Sequence, residues 1–353
     1  MRRLLVTGGA GFIGANFVHY WNRTHPQDEV VVLDALTYAG NRDNLSGLTD
    51  VDFVEGDIAD FNLVGGLLKE RRLDTIVHFA AESHVDRSIT GPDAFIQTNV
   101  VGTHILLKAA KAVWIDGGVD RHLFHHVSTD EVYGSLSPDA PAFSETTPYA
   151  PNSPYSASKA GSDHLVRAYH HTYGLHTTTS NCSNNYGPFQ YPEKLVPLFL
   201  VNALNGRSLP IYGDGMNVRD WLYVEDHCRG IDLVIQGGRA GETYNIGGGE
   251  EMANLTLIDE LCAVVDAVFS ARPELTARFP SAPAARGLPT SSLKAFVSDR
   301  PGHDRRYAID ETKIRTELGY RPMFTFRSGL AATIEWYLAN EDWVRQLQLR
   351  AVA

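Results

Sequence analysis

The sequence has few of the residues that would indicate a disulfide framework or a metal site. Its three cysteines, Cys182, Cys228 and Cys262, lie far apart and form no C-x-x-C pair in a chain of 353 residues. This usage argues against disulfide stapling and structural zinc, and it suits a reducing cytoplasm. The fourteen histidines include no H-E-x-x-H or similar ligand spacing. We therefore predict no metal site and a cytoplasmic location.

Long apolar segments and an excess of positive charge are also missing. No run of eighteen apolar residues is present, which predicts no membrane span. The apolar run at the amino terminus ends at Thr7-Gly8-Gly9 and is too short for a signal peptide. A net charge of −11 gives no overall attraction for DNA or an anionic membrane. We expect a small-molecule substrate, with neither nucleic acid nor membrane as a partner.

The first half of the chain alternates short apolar runs with longer helix-like segments. The runs at 4–6, 30–33, 51–54, 75–79 and 123–127 predict strands. Segments between them, such as 13–23 and 99–113, are long enough for crossover helices. Apolar strands joined in this way indicate an α/β fold with a doubly wound parallel sheet covered on both faces.

A glycine-rich turn follows the first predicted strand directly. The segment from Thr7 to Gly14 satisfies both G-x-G-x-x-G and G-x-x-G-x-x-G. Glycines let the backbone approach a pyrophosphate, and the helix that follows presents free N–H groups to it. Asp34 ends the second strand, where a carboxylate binds ribose hydroxyls and repels a 2′-phosphate. Asp57, after the third strand, is placed to contact adenine, and the pattern predicts NAD in a Rossmann-like domain.

The character of the chain changes after about residue 180, where Pro and Gly become frequent. We predict an NAD-binding Rossmann domain at 1–180, with later segments at about 215–250 threading back into it. A smaller mixed α/β carboxy-terminal substrate lobe is expected at 181–340. The Ala/Pro-rich stretch 270–297 predicts a long surface loop.

A tyrosine and a lysine are spaced four apart in Tyr155-Ser-Ala-Ser-Lys159, hence on one face of a helix. A phenol has a pKa near 10 and is a poor base at neutral pH. A neighbouring ammonium favours the phenolate and can also hold the nicotinamide ribose.

Two adjacent carboxylates follow the fifth strand in Thr129-Asp130-Glu131. In a continuing strand they would face opposite sides, so we expect the backbone to turn there. Two nearby carboxylates disfavour double ionisation, which leaves one as an acid and the other as a base. A dehydration needs such a pair.

The glycine turn and the Tyr-x-x-x-Lys pair together resemble the extended short-chain dehydrogenase/reductase superfamily. The Thr-Asp-Glu segment is similar to that of the dTDP-glucose 4,6-dehydratase family, and the resemblance covers roughly residues 3–340. Other matching segments are Thr-Tyr-Ala-Gly-Asn at 37–41, Ala-Ala-Glu-Ser-His-Val-Asp-Arg-Ser at 80–88, Ser-Asn-Asn-Tyr-Gly-Pro at 183–188, Pro-Glu-Lys-Leu at 192–195, Pro-Ile-Tyr-Gly at 210–213, Arg-Asp-Trp-Leu-Tyr-Val-Glu-Asp-His at 219–227 and Asp-Arg-Pro-Gly-His-Asp-Arg-Arg-Tyr at 299–307.

The resemblance implies a reaction and roles for its residues. Tyr155 takes the sugar 4-hydroxyl proton while hydride leaves carbon 4 for NAD, and Glu131 removes the carbon 5 proton. Asp130 protonates the departing 6-hydroxyl, and the hydride returns to carbon 6 to give a 4-keto-6-deoxy sugar. Thr129 and Ser83 orient the glucosyl ring. The implied cofactor contacts are Gly8, Gly11, Phe12, Ile13, Gly14, Asp34, Asp57, Ile58, Ala80, Asn99, Tyr155 and Lys159.

The resemblance also implies a substrate site and an oligomer. Arg219 and His303 would serve the diphosphate, with Asn184 and Tyr307 as neutral contacts. The remaining implied substrate contacts are Glu193, Lys194, Leu195, Pro210, Tyr212 and Asn254. A homodimer is expected through helices at about 99–113 and 155–173.

Some alternatives stay open at this point. A 4-epimerase or a UDP-glucuronate decarboxylase would share the fold, although Asp130-Glu131 argues against both. A non-catalytic NAD-sensing regulator is a third alternative, and such proteins usually lose the Tyr-x-x-x-Lys pair. UDP-glucose remains possible as the substrate. Arg286 is either a pocket residue or a loop charge, and His125 and His126 are interpreted as structural.

Overall fold

The protein is built around a parallel sheet of seven strands. The computed structural model describes residues 1–299 and 304–352. The strands in chain order are β1 (Arg3–Thr7), β2 (Glu29–Asp34), β3 (Val51–Glu55), β4 (Thr75–His78), β5 (Leu123–Thr129), β6 (Thr177–Cys182), β7 (Asn184–Tyr186), β8 (Leu209–Tyr212), β9 (Val218–Tyr223), β10 (Thr243–Ile246), β11 (Glu251–Ala253) and β12 (Lys294–Val297). The large sheet has the order β10-β6-β5-β4-β1-β2-β3, so the five strands predicted in the first half of the chain are confirmed.

Helices cover both faces of this sheet and build the carboxy-terminal part. They are α1 (Phe12–Thr24), α2 (Phe61–Glu70), α3 (Val85–Thr90), α4 (Asp93–Phe95), α5 (Thr103–Ala110), α6 (Pro154–Tyr173), α7 (Leu195–Leu204), α8 (Val224–Gly237), α9 (Asn254–Ala271), α10 (Leu275–Arg278), α11 (Thr312–Leu318), α12 (Phe326–Ala339) and α13 (Glu341–Val352). Two π-helical segments, Ile96–Gly102 and Lys111–Ile115, flank α5. Among the described helices, none combines the length and apolar character needed to cross a bilayer.

Strand alternation explains why both faces are covered. Leu4 and Val6 enter one apolar core, whereas Leu5 between them enters the core on the opposite face. All three side chains are fully buried, because successive residues of a strand point to opposite sides of the sheet. The resulting continuous apolar strands are typical of parallel sheets with two covered faces.

The chain order reverses at β1. From β1 the sheet grows through β2 to β3 in one direction, and β4 then returns to the other side of β1. Ligands of open parallel sheets bind at the carboxyl ends of the strands at such a reversal. This topology places the turn after β1, the end of β2 and the segments after β4 and β5 at one edge.

A further apolar core lies in the carboxy-terminal part. There α7, α9 and α12 pack together with a three-stranded sheet of order β11-β9-β7. Two later elements return to the seven-stranded sheet. Helix α8 packs against α1, which covers that sheet, and β10 joins the sheet as the neighbour of β6. The domain division at residue 180 stays a prediction.

The expectation of a long surface loop at 270–297 is wrong. After α9 ends at Ala271, the chain forms α10, two short 3-10 turns and β12, which pairs with β8. Leu275 and Ala282 are fully buried, so the stretch is anchored despite its Ala/Pro-rich composition. Arg286 is exposed and donates to the Ser281 carbonyl at 2.7 Å.

Candidate active site

Two neighbouring cavities lie at the carboxyl ends of the central strands. The first, of about 350 Å³, is bounded by the turn after β1 and by the ends of β2, β4 and β5. The second, of about 270 Å³, extends toward α7, β8 and α9. Residues that line both are Glu131, Asn184, Asn185, Gln190, Glu193 and Lys194. The two cavities therefore meet at Glu131.

The glycine turn between β1 and α1 has the shape that a pyrophosphate needs. Gly8 has φ +69°, and a Cβ there would lie 2.6 Å from the Ala80 backbone nitrogen. A Cβ on Gly14 would lie 2.2 Å from the Gly8 carbonyl oxygen. Gly11 is extended and precedes α1, whose first turn lines the first cavity. The N–H groups of that turn suit an anion.

Asp34 lies at the end of β2 and is buried. Its Oδ2 accepts from the Ala10 N–H and its Oδ1 from the Leu36 N–H, both at 2.9 Å. Burial raises the pKa of Asp34, whereas these two hydrogen bonds oppose the rise. Each carboxylate oxygen has two lone pairs, so Asp34 can still accept from the two hydroxyls of a ribose.

Most of the predicted cofactor contacts line the first cavity. They are Gly8, Gly11, Phe12, Ile13, Gly14, Asp34, Asp57, Ile58, Ala80, Tyr155 and Lys159. Asn99 is not among the described residues that line this cavity. Its side chain accepts from the Glu82 N–H at 2.8 Å and donates to the Glu82 carbonyl at 2.9 Å and to Ser158 Oγ at 2.8 Å. Asn99 thus supports the cavity wall from behind.

Tyr155 and Lys159 are presented by the first turns of α6. Ser153 caps this helix, because its Oγ accepts from the Ser156 N–H while Ser156 Oγ accepts from the Ser153 N–H. Lys159 Nζ donates to the Val127 carbonyl of β5 at 2.9 Å. Burial lowers the pKa of the Lys159 ammonium, and the Asp163 carboxylate opposes this.

Tyr155 is a buried phenol close to other polar groups. Burial and then the Glu131 carboxylate raise the pKa of Tyr155 well above 10, whereas a hydrogen bond with Thr129 opposes the rise. The phenol of this structure is therefore protonated at neutral pH. Positive charge near its oxygen is required before Tyr155 can accept a proton from a hydroxyl.

The expected turn after β5 is confirmed. Asp130–Tyr133 forms a 3-10 turn capped by Thr129, whose Oγ1 accepts from the Glu131 N–H and donates to Asp130 Oδ1, each at 3.3 Å. Asp130 is 2% exposed, and its Oδ2 has no hydrogen-bond partner among the described residues. Burial, then Glu131 and Asp220, raise the pKa of Asp130 well above its usual value. Asp130 therefore retains its proton more readily than an ordinary carboxyl group does.

The predicted substrate residues divide between the two cavities. Ser83 lines the first cavity, and Asn184, Glu193 and Lys194 line both. Those that line the second are Leu195, Pro210, Tyr212, Arg219 and Asn254. Tyr307 is buried beneath Arg219, with the guanidinium 4.5 Å from the ring centroid, and its hydroxyl donates to Asp304. His303 lies outside the described residues.

Arg219 is a buried cation beside the second cavity. Its Nη1 donates to the Val218 carbonyl at 2.7 Å and its Nη2 to the Asp304 carbonyl at 2.9 Å. These contacts and the Tyr307 ring fix the plane of the guanidinium. A fixed guanidinium is well suited to a phosphate oxygen.

Two further polar side chains of the cavities were missed by the sequence prediction. Trp221 Nε1 and Gln190 Oε1 are buried with no hydrogen-bond partner in the described part of the chain, and so is the predicted Asn254 Oδ1. Buried polar atoms are nearly always paired, so this combination fits a polar ligand. Trp221 lies within the matching segment 219–227, but a tryptophan in a strand is normally interpreted as core.

Comparisons with known proteins all match this chain to sugar-nucleotide 4,6-dehydratases. A model described as GDP-mannose 4,6 dehydratase matches residues 5–333. The dTDP-glucose 4,6-dehydratase of Xanthomonas campestris pv. campestris is 55% identical over 351 residues, which cover 98% of this chain and 95% of the relative. That of Salmonella typhimurium is 51% identical over 360 residues, with 98% and 95% covered. The solved structure of DesIV, a dTDP-glucose 4,6-dehydratase from Streptomyces venezuelae with NAD and TYD bound, is 50% identical, with a TM-score of 0.86 and 98% and 99% covered.

The buried carboxyl of Asp130 makes stability depend on pH. Because its folded-state pKa is raised, its contribution to stability is present below the unfolded pKa and is lost as pH rises through the folded pKa. Asp130→Asn resembles the protonated acid and escapes this loss. Relative to the wild type, the free energy of unfolding of Asp130→Asn should rise between about pH 4 and about pH 8. The rise should be about 1.4 kcal/mol for each pH unit by which folding raises the pKa of Asp130. Urea unfolding at both pH values measures this change.

Asp342→Asn, at an exposed carboxylate, controls for the loss of one charge. A difference between Asp130→Asn and the wild type that stays constant with pH would show that the pKa of Asp130 is not raised.

Proposed function

The chain belongs to the family of dTDP-glucose 4,6-dehydratases, and on this premise we propose that it converts dTDP-glucose to dTDP-4-keto-6-deoxyglucose with loss of water. The observation that carries the proposal is the Asp130–Glu131 pair, in which Asp130 lines the first cavity and Glu131 lines both. A 4-epimerase needs no second acid–base pair beside the tyrosine. A dehydratase needs both a base for carbon 5 and an acid for the leaving hydroxyl.

The first cavity fits NAD. Bound there, NAD would supply the acceptor for the hydride of carbon 4 and the donor for its return to carbon 6, so no net redox change would result. The N–H groups of the first α1 turn would hold the pyrophosphate, and Asp34 would hold the adenosine ribose. A 2′-phosphate beside the Asp34 carboxylate would be repelled, which favours NAD over NADP.

Tyr155 and Lys159 serve the oxidation at carbon 4. Tyr155 takes the proton of the 4-hydroxyl, and Thr129 shares its hydrogen bond with the phenol and the sugar. Lys159 lies one helical turn along α6 from Tyr155 and is proposed to supply the positive charge that the oxidation needs, against the burial that raises the pKa of Tyr155.

Asp130 and Glu131 serve the elimination of water. The 4-ketone acidifies the hydrogen on carbon 5, and Glu131 removes it. Asp130, whose raised pKa keeps it protonated, gives its proton to the 6-hydroxyl, which leaves as water. The different burial of the two neighbours is what separates their roles.

The second cavity takes the nucleotide part of the substrate. Arg219 binds the diphosphate, and Tyr307 acts through the stacking that fixes Arg219. Asn184, Glu193 and Lys194 lie where the sugar meets the diphosphate, with Ser83 and Thr129 oriented toward the ring. Leu195, Pro210, Tyr212 and Asn254 form the remaining wall around the nucleoside, and His303 is proposed as a second diphosphate contact by family resemblance alone.

Two further proposals concern the protein as a whole. We propose that it forms a homodimer, because the helical segments at 99–113 and 155–173 carry apolar side chains that a second copy could cover. Val101 and Tyr173 are 36% and 44% exposed. A cytoplasmic location is also proposed, since the three cysteines are unpaired and buried.

The activity is tested by incubating the purified protein with dTDP-glucose and, separately, with UDP-glucose, and measuring product mass. Loss of one water from dTDP-glucose alone is expected. An unchanged mass with a galactose-configured product would replace the dehydratase by an epimerase. Equal conversion of UDP-glucose would overturn the proposed base preference.

Glu131→Gln is expected to keep the oxidation at carbon 4 but to slow proton removal from carbon 5. General-base catalysis of this kind contributes about 10²–10⁴-fold. The rate at which solvent deuterium enters carbon 5 measures the effect, and transient NADH absorbance reports the earlier step. Tyr155→Phe is the comparison variant, because it should lose the NADH transient itself. Wild-type deuterium entry in Glu131→Gln would exclude Glu131 as the base.

Val101→Glu is expected to separate the two copies of the proposed dimer, because it places a charge in an apolar contact. Light scattering should then give half the wild-type mass. Leu349→Glu, at a residue that is 68% exposed and outside both helical segments, is the control and should leave the mass unchanged. A wild-type protein with the mass of a single chain would contradict the dimer.

A further inference from the structure

Behind Lys159 lies a buried carboxylate to which the mechanism so far assigns nothing. We propose that Asp163 is a positioning residue, whose carboxylate keeps Lys159 charged and fixes it against β5. This inference rests on the proposed function, since it concerns the group that activates Tyr155. Asp163 touches neither cavity among the described lining residues and therefore acts through Lys159.

The contacts of α6 with β5 bring Lys159 and Asp163 to the same short stretch of that strand, residues 126–128. Lys159 and Asp163 are one helical turn apart and lie on the same face of α6. Lys159 Nζ donates to the Val127 carbonyl at 2.9 Å. Asp163 Oδ1 contacts His126 Nε2 at 3.0 Å, and Asp163 Oδ2 accepts from Ser128 Oγ at 2.9 Å. The carboxylate thus contacts both neighbours of Val127. The side chains of these two neighbours lie on the same face of β5, because strand residues alternate between the two faces.

The imidazole of His126 does not neutralise this carboxylate. His126 is fully buried, and burial followed by the charge of Lys159 lowers its pKa to about 4. A neutral His126 that donates from Nε2 has an Nδ1 without a proton, and that atom has no partner within the described residues. Tyr149 also forms a hydrogen bond with Asp163. Asp163 therefore faces neutral donors, and Lys159 is the cation that balances it, as a buried charge requires.

The other titratable groups that face Lys159 are neutral near pH 7. They are His126 on β5, His78 on β4 and Cys182 on β6, and Tyr155 lines the same cavity as Lys159. Burial lowers the pKa of His78 and raises that of Cys182. Burial also lowers the pKa of Lys159, and Asp163 is the leading influence that raises it. Without Asp163 the ammonium would lose its proton at a lower pH.

The same carboxylate is connected to the turn that carries Asp130 and Glu131. Tyr149, which bonds to Asp163, accepts from Asn181 Nδ2 at 3.2 Å. Asn181 Nδ2 also donates at 2.9 Å to the hydroxyl of Tyr133, the last residue of that turn. A merely structural loss at Asp163 would therefore slow both half-reactions at every pH. The test consequently depends on the pH profile.

The first experiment measures transient NADH formation in the NAD-loaded protein mixed with dTDP-glucose, as a function of pH. In Asp163→Asn the loss of rate with rising pH should begin at least about one unit lower than in the wild type, which is about tenfold in rate on the alkaline side. The effect should fall on kcat, with KM unchanged. Asp163→Glu should restore most of the wild-type midpoint. His126→Gln, which keeps a neutral donor and the carboxylate, is the matched control and should leave the midpoint in place.

The second experiment needs no turnover. Urea midpoints are compared for Asp163→Asn, Lys159→Met and the double variant, all loaded with NAD. If the two charges balance each other, the double variant should be more stable than Lys159→Met alone, because no uncompensated carboxylate remains buried. Asp163→Ser replaces Asp163→Asn if the latter does not fold.

Additive losses in the urea comparison, or an Asp163→Asn rate lowered equally at all pH values, would overturn the proposal. A wild-type protein that leaves dTDP-glucose unchanged would instead refute the proposed function. The urea comparison would still decide whether Asp163 and Lys159 are paired.

Discussion

The cost of removing charge from water at the end of β5 is the constraint on which the site depends. Burial raises the pKa of Asp130 and of Tyr155 and lowers that of Lys159. Each of these shifts favours the neutral form of the group. Because water is largely excluded from such a site, a charge placed beside one of these groups changes its pKa strongly. A small number of neighbouring groups therefore determines which of the three side chains carries a proton during the reaction.

The fold provides this environment by bringing distant segments of the chain to one edge. The parallel order of β2, β1, β4 and β5 places their carboxyl ends in one row. Next to that row, α6 is fixed to β5 by the contacts of Lys159 and Asp163. The 3-10 turn that begins at Asp130 then gives two adjacent carboxylates unequal surroundings. Asp130 is the more deeply buried and lines the first cavity, whereas Glu131 is partly exposed and lines both cavities. Unequal burial of neighbours is how one turn can supply both an acid and a base.

The sequence is informative where local pattern and chemistry coincide. The five strands, the glycine turn, Asp34 and the turn at Asp130 follow from period, spacing and turn chemistry, and the structure has all of them. The features that were missed depend on partners far along the chain. The β12–β8 pairing joins residues about 85 positions apart. No local pattern in the Ala/Pro-rich stretch predicts such a pairing.

Side-chain roles show the same limit. The expected contact of Asn99 with the cofactor stays a prediction, and the structure adds that its amide holds the backbone of Glu82. His126 was interpreted as structural, and its partner Asp163 lies 37 residues away. For neither residue could the sequence name the partner, because a single chain shows which groups are present and not which of them meet. Trp221 belongs to the carboxy-terminal core, as its residue type suggests, but it also lines the second cavity, which its type does not indicate.

The measurement that tests the central claim most directly follows one hydrogen through the reaction. The protein is given dTDP-glucose deuterated at carbon 4, and the product is analysed for the position of the label. We predict that the deuterium is found at carbon 6 of a product that has lost one water, because the hydride removed from carbon 4 returns within the same closed site. Deuterium that remains at carbon 4, or that is lost to the solvent, would contradict the account.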